Sequence, residues 1–434
     1  MKIAIYTLGC KVNQYETQAM EQELLRRGYA LTDFDSPADA YIVNTCTVTA
    51  VSDKKCRNII RRARKNAPAA VVAVCGCYAQ TDPEAVAALG VDLVSGSAGR
   101  MDFLDRLEGV LQSREEQVVE VDKALSRREF ERLPAGGAAG RTRAMLKVED
   151  GCVNFCAYCI IPYARGPVRS LPLDEAVEQA RHLAREDYRE VVLTGIEISS
   201  WGQDLITGQT LADLVESVCV AAPGLRVRLG SLEPRTVTED FCRRLAALPN
   251  LCPHFHLSLQ SGCDATLARM NRKYDTARYY ESVELLREYY DDSGITTDLI
   301  VGFPGETEDE FAQTLAFVER CAFSAMHVFP YSRRLGTPAS SRPDQIPKEV
   351  KVERARRAID LAAKMERRWL EGQTGRTLPV LFEEEKDGWW QGHAPNYALV
   401  RVKGEGLHNR LLDVKVTGAE GEALTGVFSD TTIF

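Results

Sequence analysis

The sequence predicts an α/β protein in three parts: an N-terminal parallel sheet covered by helices, a central open barrel of six strand–helix units, and a small C-terminal antiparallel β-barrel. Short apolar runs alternate with amphipathic stretches over residues 1–112, and the same alternation restarts with a longer repeat after residue 141. Short strands with glycine turns fill residues 371–434. Continuous apolar runs are typical of buried parallel strands, whereas short strands joined by turns indicate a small barrel.

Residues 1–112 carry four apolar runs that predict strands and three amphipathic stretches that predict helices. The strands are Lys2–Leu8, Ala40–Asn44, Ala70–Cys75 and Val91–Ser95, and the helices are Asn13–Arg27, Asp53–Lys65 and Asp102–Leu111. This alternation implies a parallel sheet with helices on both faces. Residues 113–140 are charged and end in an alanine- and glycine-rich run, which predicts a linker.

Residues 141–370 contain six further strand candidates. They are Ala144–Glu149, Glu190–Thr194, Leu225–Gly230, His254–Leu259, Ile295–Val301 and Ala325–Phe329. One strand per roughly 30 residues is the size of a βα unit. A closed eight-stranded barrel needs roughly 250 residues, so an open barrel of six units fits this region better. A basic helix, Lys348–Leu370, is predicted to close it.

Five short strands are predicted in the C-terminal part. They are Thr377–Phe382, Trp389–Gly392, Ala398–Val402, Leu411–Thr417 and Ala423–Phe428. Five strands in so short a segment favour a small antiparallel barrel.

Three cysteines, Cys152, Cys156 and Cys159, lie in the run Gly-Cys-Val-Asn-Phe-Cys-Ala-Tyr-Cys, and the next cysteine is Cys219. A cubane iron–sulfur cluster has four irons, each of which a ferredoxin binds through a cysteine. Three thiolates therefore predict a cluster with one iron open to an outside ligand. Structural zinc is the alternative, but it usually takes four ligands.

Three other cysteines follow predicted strands: Cys10, Cys46 and Cys77. The carboxyl ends of parallel strands share one edge of the sheet, so these thiols are expected to converge there as a second set of metal ligands. Cys75 is the alternative third ligand, although its place inside an apolar run is typical of a buried cysteine. Cys56 lies within a predicted helix. The remaining cysteines, Cys219, Cys242, Cys252, Cys263 and Cys321, have no metal-site spacing.

The composition is that of a globular protein in a reducing compartment. The chain has thirteen cysteines, an odd number, and a net charge of −8. Reduced thiols and the lack of an apolar run of about 18 residues predict a cytoplasmic protein. Four basic residues stack along one face of a predicted helix: Lys54, Arg57, Arg61 and Arg64. They form either a solvated surface or a phosphate-binding stripe.

Several motifs together resemble the radical S-adenosylmethionine (SAM) methylthiotransferases over nearly the whole chain. Besides the Cys152–Cys159 loop, they are Thr7–Glu16, Asn44–Val48, Gly76–Gln80, Ile161–Gly166, His254–Gly262, Asp298–Thr307 and Phe329–Ser332. The C-terminal part resembles the TRAM domain, an RNA-binding β-barrel of this family. Its phosphate contacts would come from Arg401, Lys403, Arg410 and Lys415, while Trp389, Trp390 and Tyr397 would stack on bases or lie in the barrel core.

The resemblance implies an N-terminal methylthiotransferase domain, a partial (β/α)6 radical-SAM barrel and a TRAM domain. Two [4Fe–4S] clusters and SAM are the implied cofactors. Cys152, Cys156 and Cys159 would hold the SAM-cleaving cluster, and Cys10, Cys46 and Cys77 would hold an auxiliary cluster. The residues expected to bind SAM are Tyr158, Gly195, Glu197, Ser231 and Gln260. The sequence assigns no catalytic side chain.

The segment Gly-Cys-Lys-Val-Asn-Gln-Tyr-Glu resembles the branch that modifies N6-threonylcarbamoyladenosine beside the anticodon. Methylthiolation of isopentenyladenosine or of a ribosomal-protein aspartate, and a non-enzymatic RNA-binding role, are the alternatives. The expected partners are the anticodon stem-loop of transfer RNA (tRNA) and an external electron donor, with neither DNA nor a membrane.

Overall fold

The computed structural model describes residues 1–113, 116–137 and 141–429. Residues 114–115 and 138–140 of the predicted linker lie outside the described residues. Over the described ranges, no helix combines the length and apolar character needed to cross a membrane.

The N-terminal unit is a six-stranded parallel sheet flanked by helices, as predicted. Its elements are β1 Lys2–Thr7, α1 Lys11–Arg26, β2 Ala30–Thr32, β3 Ala40–Thr45, α2 Ala50–Asn66, β4 Val71–Gly76, α3 Cys77–Thr81, α4 Pro83–Ala87, β5 Leu93–Ser95, α5 Arg100–Gln112 and β6 Val118–Glu120. The strand order is β2-β1-β3-β4-β5-β6. Every residue of β3 and β4 is buried because apolar clusters cover both faces of the sheet.

Two short strands of this sheet were not predicted. β2 pairs with β1, and β6, within the predicted linker, pairs with β5. Leu133 and Ala135 of the same segment are buried in the central core, so its described part is packed rather than extended. Strands of three residues are too short for a hydrophobic period to reveal them. The division into domains at residues 112, 140 and 370 stays a prediction.

The central unit contains the six predicted strand positions in chain order. Its elements are β7 Arg143–Lys147, β8 Glu149–Asp150, α6 Ile161–Arg165, β9 Arg169–Ser170, α7 Leu173–Arg185, β10 Glu190–Thr194, α8 Leu211–Ala221, β11 Arg226–Leu229, β12 Ser231–Leu232, α9 Glu239–Ala246, β13 His254–Leu257, α10 Asp264–Arg269, α11 Thr276–Tyr289, β14 Gly294–Val301, α12 Glu308–Cys321, β15 Ala325–Pro330 and α13 Lys348–Glu371. Gly230 separates β11 from β12, and the parallel strands run β7-β10-β11 and β12-β13-β14-β15.

The N-terminal unit packs against both ends of this row of strands. α1 lies beside β7, and its residues Tyr15 and Ala19 belong to the barrel core. At the other end, beyond β15, Arg334 forms an ion pair of 2.5 Å with Asp53 of α2. The N-terminal unit therefore bridges the first and last strands of the open barrel.

The C-terminal unit is a closed five-stranded barrel of β16 Thr377–Lys386, β17 Trp389–His393, β18 Leu399–Val402, β19 Leu411–Glu420 and β20 Ala423–Phe428. It is not wholly antiparallel as predicted, because β18 and β20 pair in parallel. The chain passes through β19 before β20 returns beside β18, a crossover that strand lengths alone do not reveal. Arg228 ties this barrel to the central unit by donating to the Pro395 carbonyl (2.7 Å).

Candidate active site

The central trio, Cys152, Cys156 and Cys159, lies on the loop that follows β8. Gly151 has a φ of 93°, and a side chain there would meet the Pro167 carbonyl oxygen at 2.0 Å, so only glycine fits. Arg272 donates a hydrogen bond of 3.1 Å from Nη1 to Sγ of Cys156. The eight-residue loop thus brings three thiols together beside a cationic donor.

The N-terminal trio, Cys10, Cys46 and Cys77, is assembled by the sheet edge. The three cysteines follow β1, β3 and β4, respectively. A side chain at Gly9, whose φ is 110°, would sit 2.9 Å from Sγ of Cys46. Burial, with smaller contributions from the nearby Cys10 and Cys46, raises the pKa of Cys77 to about 12. The structure therefore brings these three thiols to one place, as their positions after parallel strands predict.

Cys75 and Cys56 occupy different surroundings from the N-terminal trio. Cys75 is fully buried in an apolar cluster that includes Met20 and Leu93. Cys56 of α2 lies behind the trio and donates its thiol to the Cys46 carbonyl (3.3 Å). The packing of Cys75 is that of a small apolar side chain, which favours Cys77 as the third ligand.

Two helices begin at cysteines of the N-terminal trio. Cys10 is the N-cap of α1 and makes no side-chain capping bond, and Cys77 is the first residue of α3. The positive end of a helix dipole stabilises negative charge and lowers the cost of a thiolate. This effect opposes the burial that raises the pKa of Cys77.

A buried ionic network links the two trios through Arg165. This residue of α6 donates to Sγ of Cys77 (3.2 Å) and to Oδ1 of Asn13 (2.6 Å), and it pairs with Glu16 and with Asp150 (3.5 Å). α6 begins two residues after Cys159. The arginine thus connects the central loop directly to a thiol of the N-terminal trio.

The network carries more cations than carboxylates. Arg100, Arg165 and Lys147 surround Glu16, and Arg169 joins Lys147 and Arg165 at Asp150. Burial opposes the charge on Glu16, yet its three cationic neighbours hold its pKa below its usual range. Glu131, which accepts from the Arg100 amide, is a third carboxylate nearby, so four cations face three carboxylates. The remaining positive charge beside Cys77 complements an anionic ligand set.

The two trios fit a four-iron cluster better than a single metal ion. In the part of the chain that the structure describes, no three Cys, His, Asp or Glu residues are grouped closely enough to bind one ion. Each ligand of a cubane cluster binds a different iron, so its thiolates stand farther apart than the ligands of one zinc ion. The arginines that donate to Cys77 and Cys156 are consistent with anionic clusters.

A cavity of about 730 Å³ occupies the barrel interior and reaches the N-terminal trio. Cys10, Gly195 and Ser231 lie on its wall. Further polar and charged lining residues are Lys11, Thr194, His254, His256, Thr296, Asp298, His327, Glu366 and Glu422. Phe329, Trp369, Leu370 and Leu399 form an apolar part of the wall. The size is that of a small-molecule or nucleoside pocket.

The five residues predicted to bind SAM are not all on this cavity. Gly195 and Ser231 border it, and Gly195 has no room for a side chain because Oε2 of Glu149 would stand 2.6 Å away. The Glu197 carboxylate caps a short helical turn through Ser199 and Ser200.

Tyr158 and Gln260 make packing and backbone contacts near the barrel and do not line the cavity. Tyr158 packs against a separate apolar cluster that includes Phe303. The backbone of Gln260, which has a φ of 69°, pairs with β14. Its amide donates to the Asp298 carbonyl, and its carbonyl accepts from the Ile300 amide. The roles of all five residues toward SAM therefore stay predictions.

A chain of polar side chains runs along the cavity wall. Thr296 Oγ1 lies 3.0 Å from Nδ1 of His256 and 3.3 Å from Nε2 of His254, and Nε2 of His256 lies 3.4 Å from Asp298. Burial, followed by the charge of Arg228, holds the pKa of His254 well below its usual range. His254 is therefore neutral at physiological pH.

Some of the predicted RNA-contacting residues are exposed, whereas others are held by contacts within the protein. In the basic stripe, Arg64 is held by Asp92 (2.7 Å), whereas Lys54 and Arg61 are exposed and form no ion pair with any described residue. In the C-terminal barrel, Trp390 is core, which the sequence left open, while Trp389 carries the ammonium of Lys403 over its ring at 4.2 Å.

Tyr397 is not free to stack on a base. Its ring is stacked on His254 (4.5 Å) and on His393 (4.6 Å), and the Arg228 guanidinium lies 4.9 Å from its centroid. Tyr397 instead forms a wall of the cavity, where it has a positive φ of 73°.

Three site residues were not predicted from the sequence: Lys11, Arg165 and Arg272. Lys11 directly follows Cys10, and Arg165 belongs to the motif Ile161–Gly166, so both stood in segments already marked by the family resemblance. No comparable signal marks Arg272, which lies far from the cysteines in sequence.

Comparisons with known proteins agree with this architecture. The radical SAM superfamily matches residues 146–318, and the uncharacterized protein family UPF0004 matches residues 2–96. The chain is 39% identical over 427 residues to the threonylcarbamoyladenosine tRNA methylthiotransferase MtaB of Bacillus subtilis, covering 96% of this chain and 94% of that protein. It is 33% identical to the tRNA-2-methylthio-N(6)-dimethylallyladenosine synthase of Pelotomaculum thermopropionicum, covering 99% and 98%, respectively.

A solved structure shares the fold. It is the radical S-adenosylmethionine methyltransferase TsrM from Kitasatospora setae, with a TM-score of 0.56 and 16% identity over 78% of this chain and 75% of that one. The barrel and its cysteine loop thus define a radical-SAM enzyme. The chain belongs to the radical-SAM methylthiotransferase family, and its cofactors are SAM and [4Fe–4S] clusters.

Proposed function

We propose that the chain is a tRNA methylthiotransferase that adds a methylthio group at C2 of N6-threonylcarbamoyladenosine, next to the anticodon. The observation that carries the proposal is that the N-terminal trio lies beside the barrel cavity through Cys10 and is joined by Arg165 to the segment that follows the central loop. Arg165, from the helix after the central loop, contacts Cys77, and Cys10 shares the cavity wall with Gly195. A cluster site at the cavity wall, with a second cysteine trio in the adjoining loop, suits a reaction in which one substrate is activated and then receives a group.

The choice of nucleoside is supported by the chemistry of the cavity. Its wall carries Lys11 and three histidines, which can donate hydrogen bonds to the polar threonylcarbamoyl group, while Phe329, Trp369 and Leu399 offer an apolar surface to the base. The Bacillus subtilis relative, whose name gives the threonylcarbamoyl activity, is more similar to this chain than the dimethylallyladenosine synthase is.

The protein's part in this reaction is placement. When bound, the clusters and SAM supply the radical chemistry and the methylthio group. The central trio would hold the SAM-cleaving cluster, with Arg272 donating to Cys156, and the N-terminal trio would hold the auxiliary cluster, with Arg165 donating to Cys77. Asn396 and Tyr397 of the C-terminal unit line the same cavity.

The partners follow from this assignment. An anticodon stem-loop would enter the cavity with its modified adenosine turned out of the stack, because the reacting carbon must reach the barrel interior. Lys54 and Arg61 of α2, together with Lys403 of the C-terminal barrel, are candidate phosphate contacts. An external donor would supply the reducing electrons.

The test compares three anticodon stem-loop RNAs, which carry threonylcarbamoyladenosine, isopentenyladenosine or unmodified adenosine at the same position. The protein is reconstituted anaerobically with iron and sulfide and supplied with SAM and a reductant. We expect a methylthio nucleoside from the first RNA alone, as measured by mass spectrometry. Product from the isopentenyl RNA alone would assign the chain to the other branch, and no product from any RNA would contradict the proposed function.

A further inference from the structure

The ammonium of Lys11 stands between two cavities without a partner. It lines the barrel cavity and a neighbouring cavity of about 500 Å³, which also borders Arg143 and Tyr397. Among the described residues, its side chain takes part in no hydrogen bond and no ion pair. The side chain is half-buried and has no carboxylate of a described residue within ion-pair distance, so the position suits an anionic ligand.

The neighbouring cations are already paired. Arg143 contacts Glu383 at 2.7 Å, and Arg228 contacts Glu190 at 2.7 Å. These two carboxylates are therefore engaged by arginines, and neither forms an ion pair with Lys11. Lys11 thus differs from both arginines in having its charge available to a ligand in the cavity.

The position of Lys11 relative to the reacting edge of the substrate supports the same conclusion. It directly follows Cys10, which would hold the auxiliary cluster, and it is the first residue of the 16-residue helix α1. In N6-threonylcarbamoyladenosine the carbamoyl N–H can donate to N1, which turns the threonyl carboxylate toward the edge that carries C2. A base with C2 directed at Cys10 would therefore present its carboxylate to Lys11.

We propose that Lys11 is a specificity-determining residue whose ammonium pairs with the carboxylate of the threonylcarbamoyl group. The inference rests on the proposed function and deepens it by naming what selects the acidic nucleoside. An isopentenyl group has no carboxylate and would leave Lys11 unpaired.

The test measures binding of two stem-loop RNAs to the anaerobically reconstituted protein. One carries threonylcarbamoyladenosine, and the other carries its threoninamide analogue, in which an uncharged amide replaces the carboxylate. We expect the unaltered protein to bind the acid about 10- to 100-fold more tightly, the range of a hydrogen bond to a charged group. Lys11→Met should bind both RNAs equally, with unchanged affinity for the amide, and Lys11→Arg should restore most of the preference. Lys364→Met, at an exposed lysine of α13, is the matched control and should keep the preference.

Other outcomes overturn the inference. If Lys11→Met lowers the affinity for both RNAs equally, Lys11 contacts a backbone phosphate instead. If the variant keeps the preference for the acid, Lys11 has no role in selecting the nucleoside. Loss of iron from Lys11→Met that Lys11→Arg does not repair would assign it to support of the cluster. If the unaltered protein methylthiolates the threonylcarbamoyl RNA but binds acid and amide equally, only the Lys11 inference fails. If it methylthiolates neither RNA, the proposed function fails as well.

Discussion

The central and N-terminal trios present three thiols each, but they are built in different ways. Cys152, Cys156 and Cys159 share one loop of eight residues, whereas Cys10, Cys46 and Cys77 come from three strand ends of a parallel sheet. The local trio depends on the backbone of a single turn. The dispersed trio depends on the strand order β1-β3-β4, so its geometry exists only once the sheet has formed.

The two trios also differ in their electrostatic surroundings. Arg165, beside Cys77, is held in a buried network with Glu16 and Asp150. Arg272, beside Cys156, otherwise donates to neutral oxygens, the Tyr274 hydroxyl (3.0 Å) and the Ser258 carbonyl (3.3 Å). The N-terminal trio is thus part of the ionic interface between units, whereas the central trio is supported within its own unit.

Removal of each whole trio should give the largest effects. Cys152→Ala/Cys156→Ala/Cys159→Ala and Cys10→Ala/Cys46→Ala/Cys77→Ala should each lower the iron content from about eight to about four per chain, since each trio would hold one four-iron cluster. Both should abolish methylthiolation, but only the central variant should abolish SAM cleavage, measured as 5′-deoxyadenosine. Full iron content in the N-terminal variant would contradict the dispersed site.

Single substitutions at Cys77 and Cys75 test which of the two cysteines is the third ligand of the N-terminal trio. Cys77→Ala should lose most of the iron of one cluster, because it removes one of three ligands. Cys75→Ala should keep that iron and lower the free energy of unfolding by about 1 kcal/mol, since it only leaves a small cavity in an apolar cluster. Iron analysis of the two variants, purified side by side, decides between them. The reverse result would move the ligand to Cys75.

Arg165→Gln and Arg272→Gln compare the surroundings of the two trios. Arg165→Gln should lower the free energy of unfolding by about 3 kcal/mol, because Glu16 and Asp150 lose a buried counter-ion. Arg272→Gln should cost about 1–2 kcal/mol, since two of its partners are neutral oxygens. Anaerobic guanidinium unfolding measures both. Arg367→Gln, in an exposed pair with Glu371, should stay within about 1 kcal/mol. Equal costs for Arg165 and Arg272 would contradict the electrostatic difference.

Gly76→Ala tests the backbone before Cys77. Gly76 has a φ of 100°, and an added Cβ would lie 2.5 Å from the Thr45 carbonyl oxygen, so we expect a loss of about 1–3 kcal/mol. Gly224→Ala is the matched control, since nothing lies within 4 Å of its Cβ position, and it should stay within about 0.5 kcal/mol. The melting temperatures report the difference, and similar values for the two variants would show that the turn tolerates a side chain.

Much of the fold was predictable because the long apolar runs have one interpretation. The boundaries of β10 and β20 agree with the predicted Glu190–Thr194 and Ala423–Phe428, since turn residues flank both runs. β2 and β6 were missed because three residues do not show a period. The parallel pairing of β18 with β20 was missed because composition does not specify which strands are neighbours.

The candidate site, like the fold, was only partly predictable from the sequence. Spacing along the chain pointed to Cys152, Cys156 and Cys159, and positions after strands pointed to Cys10, Cys46 and Cys77. Spacing did not reveal the contact of Arg272 with Cys156, because more than one hundred residues separate the two in sequence. The five residues predicted to bind SAM came from the family resemblance and from positions at strand ends of the barrel, and only Gly195 and Ser231 line the cavity.

By itself, the sequence determined the ligand chemistry: three thiols in one short loop, three more after apolar strands, and the order of strands and helices. These features depend on residue type and local spacing, which the chain carries before it folds. Only the tertiary structure decided that Arg165 joins the two trios and that Lys11 faces a shared cavity unpaired. Such contacts depend on the packing of distant segments, where burial and neighbouring charges, rather than residue type, set what a side chain can bind.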